Sequence, residues 1–167
     1  ILKLLIIDPL LTLKLHRLIS KFHFDIIYAH HYEGFMCALP ACGFGKHPVV
    51  FDIHTLLEEE LPYYGPSFGR GILSRVGKIF DTVLPAHANH VIGISEEIVD
   101  KVIGEANVAP ENITLISNGV ELELFMSAEP EQNKSGKGDI ILAYAGNFAR
   151  YQGIETMLKA LNLLDRK

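Results

Sequence analysis

Apolar positions along the chain alternate between two spacings. Leu11, Leu15, Leu18 and Phe22 stand three or four apart, the period of a helix with one buried side, and the run DIIYA after them is short, branched and continuously apolar, like a buried strand. The pattern repeats. A helix through Phe35 to Ala41 leads into PVVFDI, a helix carrying Ile72, Val76, Ile79 and Val83 leads into HVIGI, and a helix carrying Ile98, Val102 and Ala106 leads into ITLI. Helix-then-strand units with uniformly apolar strands predict an α/β fold, a Rossmann-like, mainly parallel sheet with helices on both faces. Ser95, followed by Glu96 and Glu97, reads as a helix N-cap, with the two carboxylates at the positive end of the helix dipole.

Further along, the segment after Met126, SAEPEQNKSGKG, has no apolar period and reads as a linker over 126–138. IILAYAG then reads as the first strand of a second Rossmann-like unit, GNFARYQG as a glycine-flanked loop, and Ile154, Met157, Leu158 and Leu161 as the apolar face of one helix. The expected division is a first domain over 1–125, the linker, and the start of a second domain over 139–167. Strand, tight glycine loop and helix together suit a phosphate group, because a helix N-terminus offers unpaired N–H groups and a positive dipole end. An isolated strand and helix cannot bury an apolar face, so 139–167 is expected to pack on the first domain or on a second copy of the chain, giving a homo-oligomer.

Composition narrows the function classes. At 167 residues with 49% hydrophobic content, the chain has material for one core and a remnant of another. A net charge of -5 without a basic run argues against nucleic acid as a partner. Asp8, Lys14 and Arg17 interrupt the apolar N-terminal stretch before it reaches the length of a bilayer span. Opening on Ile1, with no small-residue cleavage site after the apolar stretch, suggests upstream sequence rather than a signal peptide. Cys37 and Cys42 read as small buried hydrophobes of a reducing, cytoplasmic compartment.

Three segments in order, HVIGISEEIVDKV, ITLISNGVELELF and ILAYAGNFARYQGIETMLKAL, resemble the middle of GT-B glycosyltransferases of the family 4 type. DIIYAHHYEGF and PVVFDIHTLLEEELPYYG resemble a subgroup found among cell-surface polysaccharide genes. The resemblance implies retaining transfer of a sugar from a nucleotide-diphosphate sugar to a sugar or lipid-linked acceptor, in a cleft between an acceptor-side and a donor-side domain, with no further cofactor. It places donor binding at Gly146, Asn147, Arg150, Gln152 and Gly153. The family carries an Arg after the first of these glycines and a Lys before the second; here Asn147 and Gln152 hydrogen-bond without charge, leaving Arg150 as the cation of the loop. Two donor-binding glutamates of the family would lie beyond Lys167, and its N-terminal glycine loop before Ile1. On that reading the chain is a fragment, inactive alone.

Among the histidines, His54 ends a strand at the edge where parallel sheets place ligands, and the family's cleft histidine matches it, making His54 the catalytic candidate. His30 and His31 follow DIIYA, and alternation along a strand turns only one of them to the cleft. Asp52, Glu58 with its neighbours Glu59 and Glu60, and Tyr63 or Tyr64 are acceptor-side candidates, against the plainer reading of a solvated charge run. No pair of carboxylates is assigned as in glycosidases. His87 and His90 have the spacing of a metal pair but lack a Cys, Asp or Glu beside them, so no metal site is expected. Asn118-Gly119 reads as a turn with positive φ leading the chain across the cleft. Two rivals remain: a GT-B sugar-nucleotide epimerase, and a non-catalytic fragment that binds a partner supplying the missing half. The Ser95 helix and the Asn-Gly-Val-Phe pattern favour the transferase. Lipid-linked acceptors, frequent in the family, suggest the inner membrane face, although the sequence shows no basic amphipathic helix to hold the chain there.

Overall fold

The computed structural model describes residues 6–64, 69–126, 142–146, 148 and 152–164. It divides into two units, Ile1–Asn118 and Gly119–Lys167.

In the first unit helix α1 (Asp8–Phe22) leads to strand β1 (Ile27–His30), α2 (His31–Ala41) to β2 (Val49–Ile53), α3 (Leu57–Tyr64) and α4 (Arg70–Val83) to β3 (His90–Gly93), and α5 (Glu96–Glu105) to β4 (Ile113–Leu115). All neighbouring strands are parallel, in the order β1-β2-β3-β4. This is the parallel α/β architecture that the alternating periods predict.

The two sides of the sheet differ. Ile27 and Ala29, Val49, Phe51 and Ile53, and Val91 point into the core, where Phe35 stacks on Phe51 at 4.1 Å between ring centroids and Tyr32 meets it edge-on at 5.1 Å. Alternate residues face the other way. Tyr28 and His30 on β1 are exposed there, while Val50 and Ile92 are half-buried. Gly93 has a packing reason to be glycine: a Cβ would lie 2.9 Å from Val99 Cγ2 and 3.2 Å from Ile98 Cγ2, so its absence lets α5 close on β3. Ser95 caps α5 as expected, accepting the Ile98 N–H at 3.3 Å.

The largest departure from the sequence reading is α3. Its glutamates read as a charge run, yet Leu57–Tyr64 is helical, with Pro62 inside it. The capping group is remote in sequence: the Asp81 carboxylate, on α4, accepts the N–H of Leu57 at 2.9 Å and of Glu58 at 2.8 Å. Four residues before Asp81, Gly77 lies against the same turn; a Cβ there would stand 2.4 Å from backbone atoms of Leu57 and Glu58. The α3–α4 hairpin therefore uses the Gly77–Asp81 side of α4 as its buried side. Ile72, Val76, Ile79 and Val83, read from the sequence as the core face, are instead exposed, as are Arg75 and Lys78 on the same helix. Lys78 pairs with Glu105 of α5 at 3.6 Å. No helix among the described residues is long and apolar enough to cross a membrane.

The second unit contains α6 (Leu122–Met126) and α7 (Ile154–Leu164). Most of the expected linker, 127–138, lies outside the described residues, as do Ile140 and Ile141; the described part of IILAYAG, 142–146, does not form a strand. Neither Asn118 nor Gly119 has the positive φ expected of an Asn-Gly hairpin turn. That geometry serves antiparallel strands, and β4 pairs only in parallel.

Candidate functional site

Polar side chains interrupt the apolar pattern where β1 and β2 reach their C-terminal ends. His30 is the cross-strand partner of Asp52, and Tyr28 precedes His30, as His54 follows Asp52, by two residues. Period-two alternation puts all four on one side of the sheet. They converge on a single atom: Asp52 Oδ2 accepts from the Tyr28 hydroxyl at 2.6 Å, from His54 Nε2 at 3.0 Å and from His30 Nδ1 at 3.1 Å. The two imidazole rings lie 4.2 Å apart. Asp52 itself is buried, and its Oδ1 has no hydrogen-bond partner among the described residues.

Burial alone pushes the Asp52 carboxyl up, but donation from Tyr28, His54 and His30 outweighs it and holds the group below its ordinary value. Asp52 is therefore an anion that can only accept, which fixes the tautomers: His54 donates from Nε2 and His30 from Nδ1. In its neutral form each ring keeps its lone pair on the other nitrogen. The same hydrogen bond to Asp52 raises the Tyr28 phenol.

Beside this group lies a second one. His31 has a left-handed backbone, φ 61°, and its Nδ1 accepts the Tyr32 N–H at 2.9 Å. Its Nε2 must therefore donate, and lies 3.0 Å from Thr55 Oγ1 and 3.3 Å from Glu60 Oε2. Glu60 also accepts from Thr55 and from Tyr64, each at 2.6 Å. Burial pushes the Glu60 carboxyl up, and the Thr55, Tyr64 and His31 donors bring it below its ordinary value. The adjacent histidines part where β1 gives way to α2: His30, the last strand residue, joins Asp52 and His54, whereas His31, the first residue of α2 with its left-handed backbone, joins Glu60.

The remaining candidates fall elsewhere. Glu58 pairs with Lys101 of α5 at 2.9 Å, a bond that lowers its pKa, so of the three glutamates it is Glu60 that approaches a histidine. Tyr63 and Tyr64 are exposed at the C-terminal end of α3. His90 bonds Thr114 across β3 and β4 at 2.8 Å. Cys37 and Cys42 are free and buried. In the glycine loop, Asn147 and Arg150 lie outside the described residues; Gly153, φ 71°, stands immediately before α7, with Gln152 preceding it, and a Cβ on Gly146 would meet the Tyr144 ring. Tyr28 went unread as a site residue, although its place two before His30 on one strand was a usable signal.

The class the structure defines is a parallel α/β domain with a carboxylate–imidazole cluster at the C-terminal ends of two neighbouring strands, the edge where such sheets bind their ligands. Its family is shown by sequence: residues 1–124 match the model of Glycosyltransferase Family 4, and the chain belongs to that family. A relative from Catenulispora acidiphila, D-inositol 3-phosphate glycosyltransferase 1, is 25% identical in an alignment of 142 residues that covers 82% of this chain and 33% of the relative. The chain thus spans about a third of the length of that curated relative. Among solved structures, HepE from Anabaena in complex with UDP-glucose aligns with a TM-score of 0.47 and 21% identity, over 68% of this chain and 28% of that one. A provisionally assigned UDP-N-acetylglucosamine 2-epimerase from Listeria monocytogenes aligns with a TM-score of 0.39 and 14% identity, over 64% of this chain and 26% of that one.

Proposed function

We propose that the chain is the acceptor-side part of a transferase, with the opening of its donor-side domain over 139–167, which moves a sugar with retention from a nucleotide-diphosphate sugar to a sugar or lipid-linked acceptor. The observation that carries this reading is His54 at the end of β2, oriented by the buried Asp52. With Nε2 donating to Asp52, His54 offers its Nδ1 lone pair to a substrate hydroxyl, a hydrogen bond worth most where charge redistributes during transfer. His30 and Asp52 are positioning and acceptor-side groups of the same cluster, and Gly146, Asn147, Arg150, Gln152 and Gly153 are the donor-phosphate loop. Negative charge developing on the leaving diphosphate needs backbone N–H donors and a cation, roles that suit the start of α7 and Arg150.

Transfer is a property of the whole protein, so the test belongs there. In the intact transferase, His54→Ala lowers kcat by about 10²-fold or more while the melting temperature stays within a few degrees. Unchanged kcat in a folded variant removes His54 from the site.

We also place the protein at the inner face of the cytoplasmic membrane. Exposed Ile72, Val76, Ile79 and Val83, with exposed Arg75 and Lys78 on the same helix, suit an anionic lipid surface. Co-sedimentation with phosphatidylglycerol vesicles, abolished by Ile79→Asp, is the expected result; a supernatant protein at low salt contradicts it.

A further inference from the structure

We propose that His30, Asp52 and His54 form a binding site for a divalent transition metal of the zinc type, with two imidazole nitrogens and one carboxylate oxygen as ligands and a fourth position left to solvent. The three ligand atoms, His30 Nδ1, Asp52 Oδ2 and His54 Nε2, all lie within 4.8 Å of one another. The two nitrogen-to-oxygen edges measure 3.1 and 3.0 Å. In a tetrahedral site with bonds of about 2.0–2.1 Å, ligand atoms stand about 3.4 Å apart, so those edges need open by only a few tenths of an ångström. The nitrogen-to-nitrogen edge is free to adjust, because the His30 side chain is 62% exposed.

The ligands stand on a rigid support. His30 and Asp52 are register partners on hydrogen-bonded strands, and His54 follows Asp52 on the same side. The Tyr28 hydroxyl, donating to the carboxylate, supplies the outer contact that orients a ligating group in metal sites. Charge gives a further reason. Asp52 is buried and ionised, and its partners among the described residues are a phenol and two imidazoles rather than a Lys or Arg. A buried carboxylate without a full counter-charge is costly, and a divalent cation at Oδ2 supplies one. On binding, each imidazole moves its proton to the outer nitrogen and gives the inner lone pair to the ion, so neither ring loses charge balance. Two nitrogens and one oxygen favour zinc, cobalt(II) or nickel over magnesium and calcium.

The inference concerns ion binding by the free protein: with the ion bound, the His54 proton sits on Nδ1, so the metal-bound form is distinct from the one that offers that lone pair to a sugar. Cobalt(II) titration of the full chain, followed by its visible d–d absorption and reversed with zinc, tests it. The expected result is one saturable equivalent, displaced by zinc but not by magnesium. His30→Ala and His54→Ala each weaken binding by at least about tenfold, and Tyr28→Phe by about tenfold with all three ligands retained. His90→Ala leaves binding unchanged. His30 is exposed, so its replacement leaves the fold intact and the result interpretable. No saturable band at millimolar cobalt, or undiminished binding by both histidine variants, overturns the proposal.

Discussion

Asp52 and Asp81 are the two buried carboxylates among the described residues, each 5% exposed, and their surroundings differ in kind. Asp81 divides its two oxygens between two backbone N–H groups at the start of α3. Both oxygens are satisfied by main chain, in an arrangement that holds one helix against another. Asp52 gathers three side-chain donors on one oxygen and leaves the other without a partner among the described residues. Its partners are the groups that can exchange protons or bind ligands. A carboxylate satisfied by backbone builds the fold, whereas one that organises titratable side chains at a sheet edge builds a site.

The contrast can be broken by substitution, and the largest effects belong to the hairpin. Gly77→Ala forces a methyl group into the backbone of Leu57 and Glu58, and should cost about 3 kcal/mol or more in urea denaturation, since backbone cannot yield as a side chain can. Asp81→Ala strands two helix N-terminal donors and should cost about 2–4 kcal/mol. Asp52→Asn keeps the shape and one acceptor but loses the charge, and should cost about 1–2 kcal/mol at neutral pH. If Asp52→Asn proves as damaging as Asp81→Ala, the division between builder and organiser fails.

Acid sharpens the comparison further. The folded-state pKa of Asp52 lies below its ordinary value, so its contribution is fully present above the ordinary aspartate range near about pH 4 and is lost as pH falls through the depressed folded value. Asp52→Asn should accordingly flatten the loss of stability on acidification below about pH 4. An acid-unfolding curve as steep as that of the parent chain would show that Asp52 gains nothing from its donors.

The sequence carried much of this molecule, and the reasons for what it did not carry are physical. Continuous apolar runs announced β1 to β4, because burial on both faces of a parallel sheet imposes them directly, and period-3.6 spacing announced α2, α4 and α5 as helices without fixing which side is buried. Ser95 announced its helix because a cap and the N–H it binds are three residues apart. The α3 helix stayed hidden because its cap, Asp81, comes 24 residues after Leu57, a distance at which no local motif exists. That missed helix also reversed the reading of α4, whose apolar stripe faces outward. At the site, His54, His30 and Asp52 could be named individually from their places at strand ends. Their convergence on one oxygen depends on the β1–β2 register, which no single segment encodes.

The central claim is that Asp52 orients both imidazoles, and long-range proton–nitrogen spectra of the histidine side chains test it most directly. For the neutral rings the account predicts the His54 proton on Nε2 and the His30 proton on Nδ1, with both signatures lost in Asp52→Asn. A His54 ring protonated on Nδ1, or tautomers unchanged by the substitution, would contradict it.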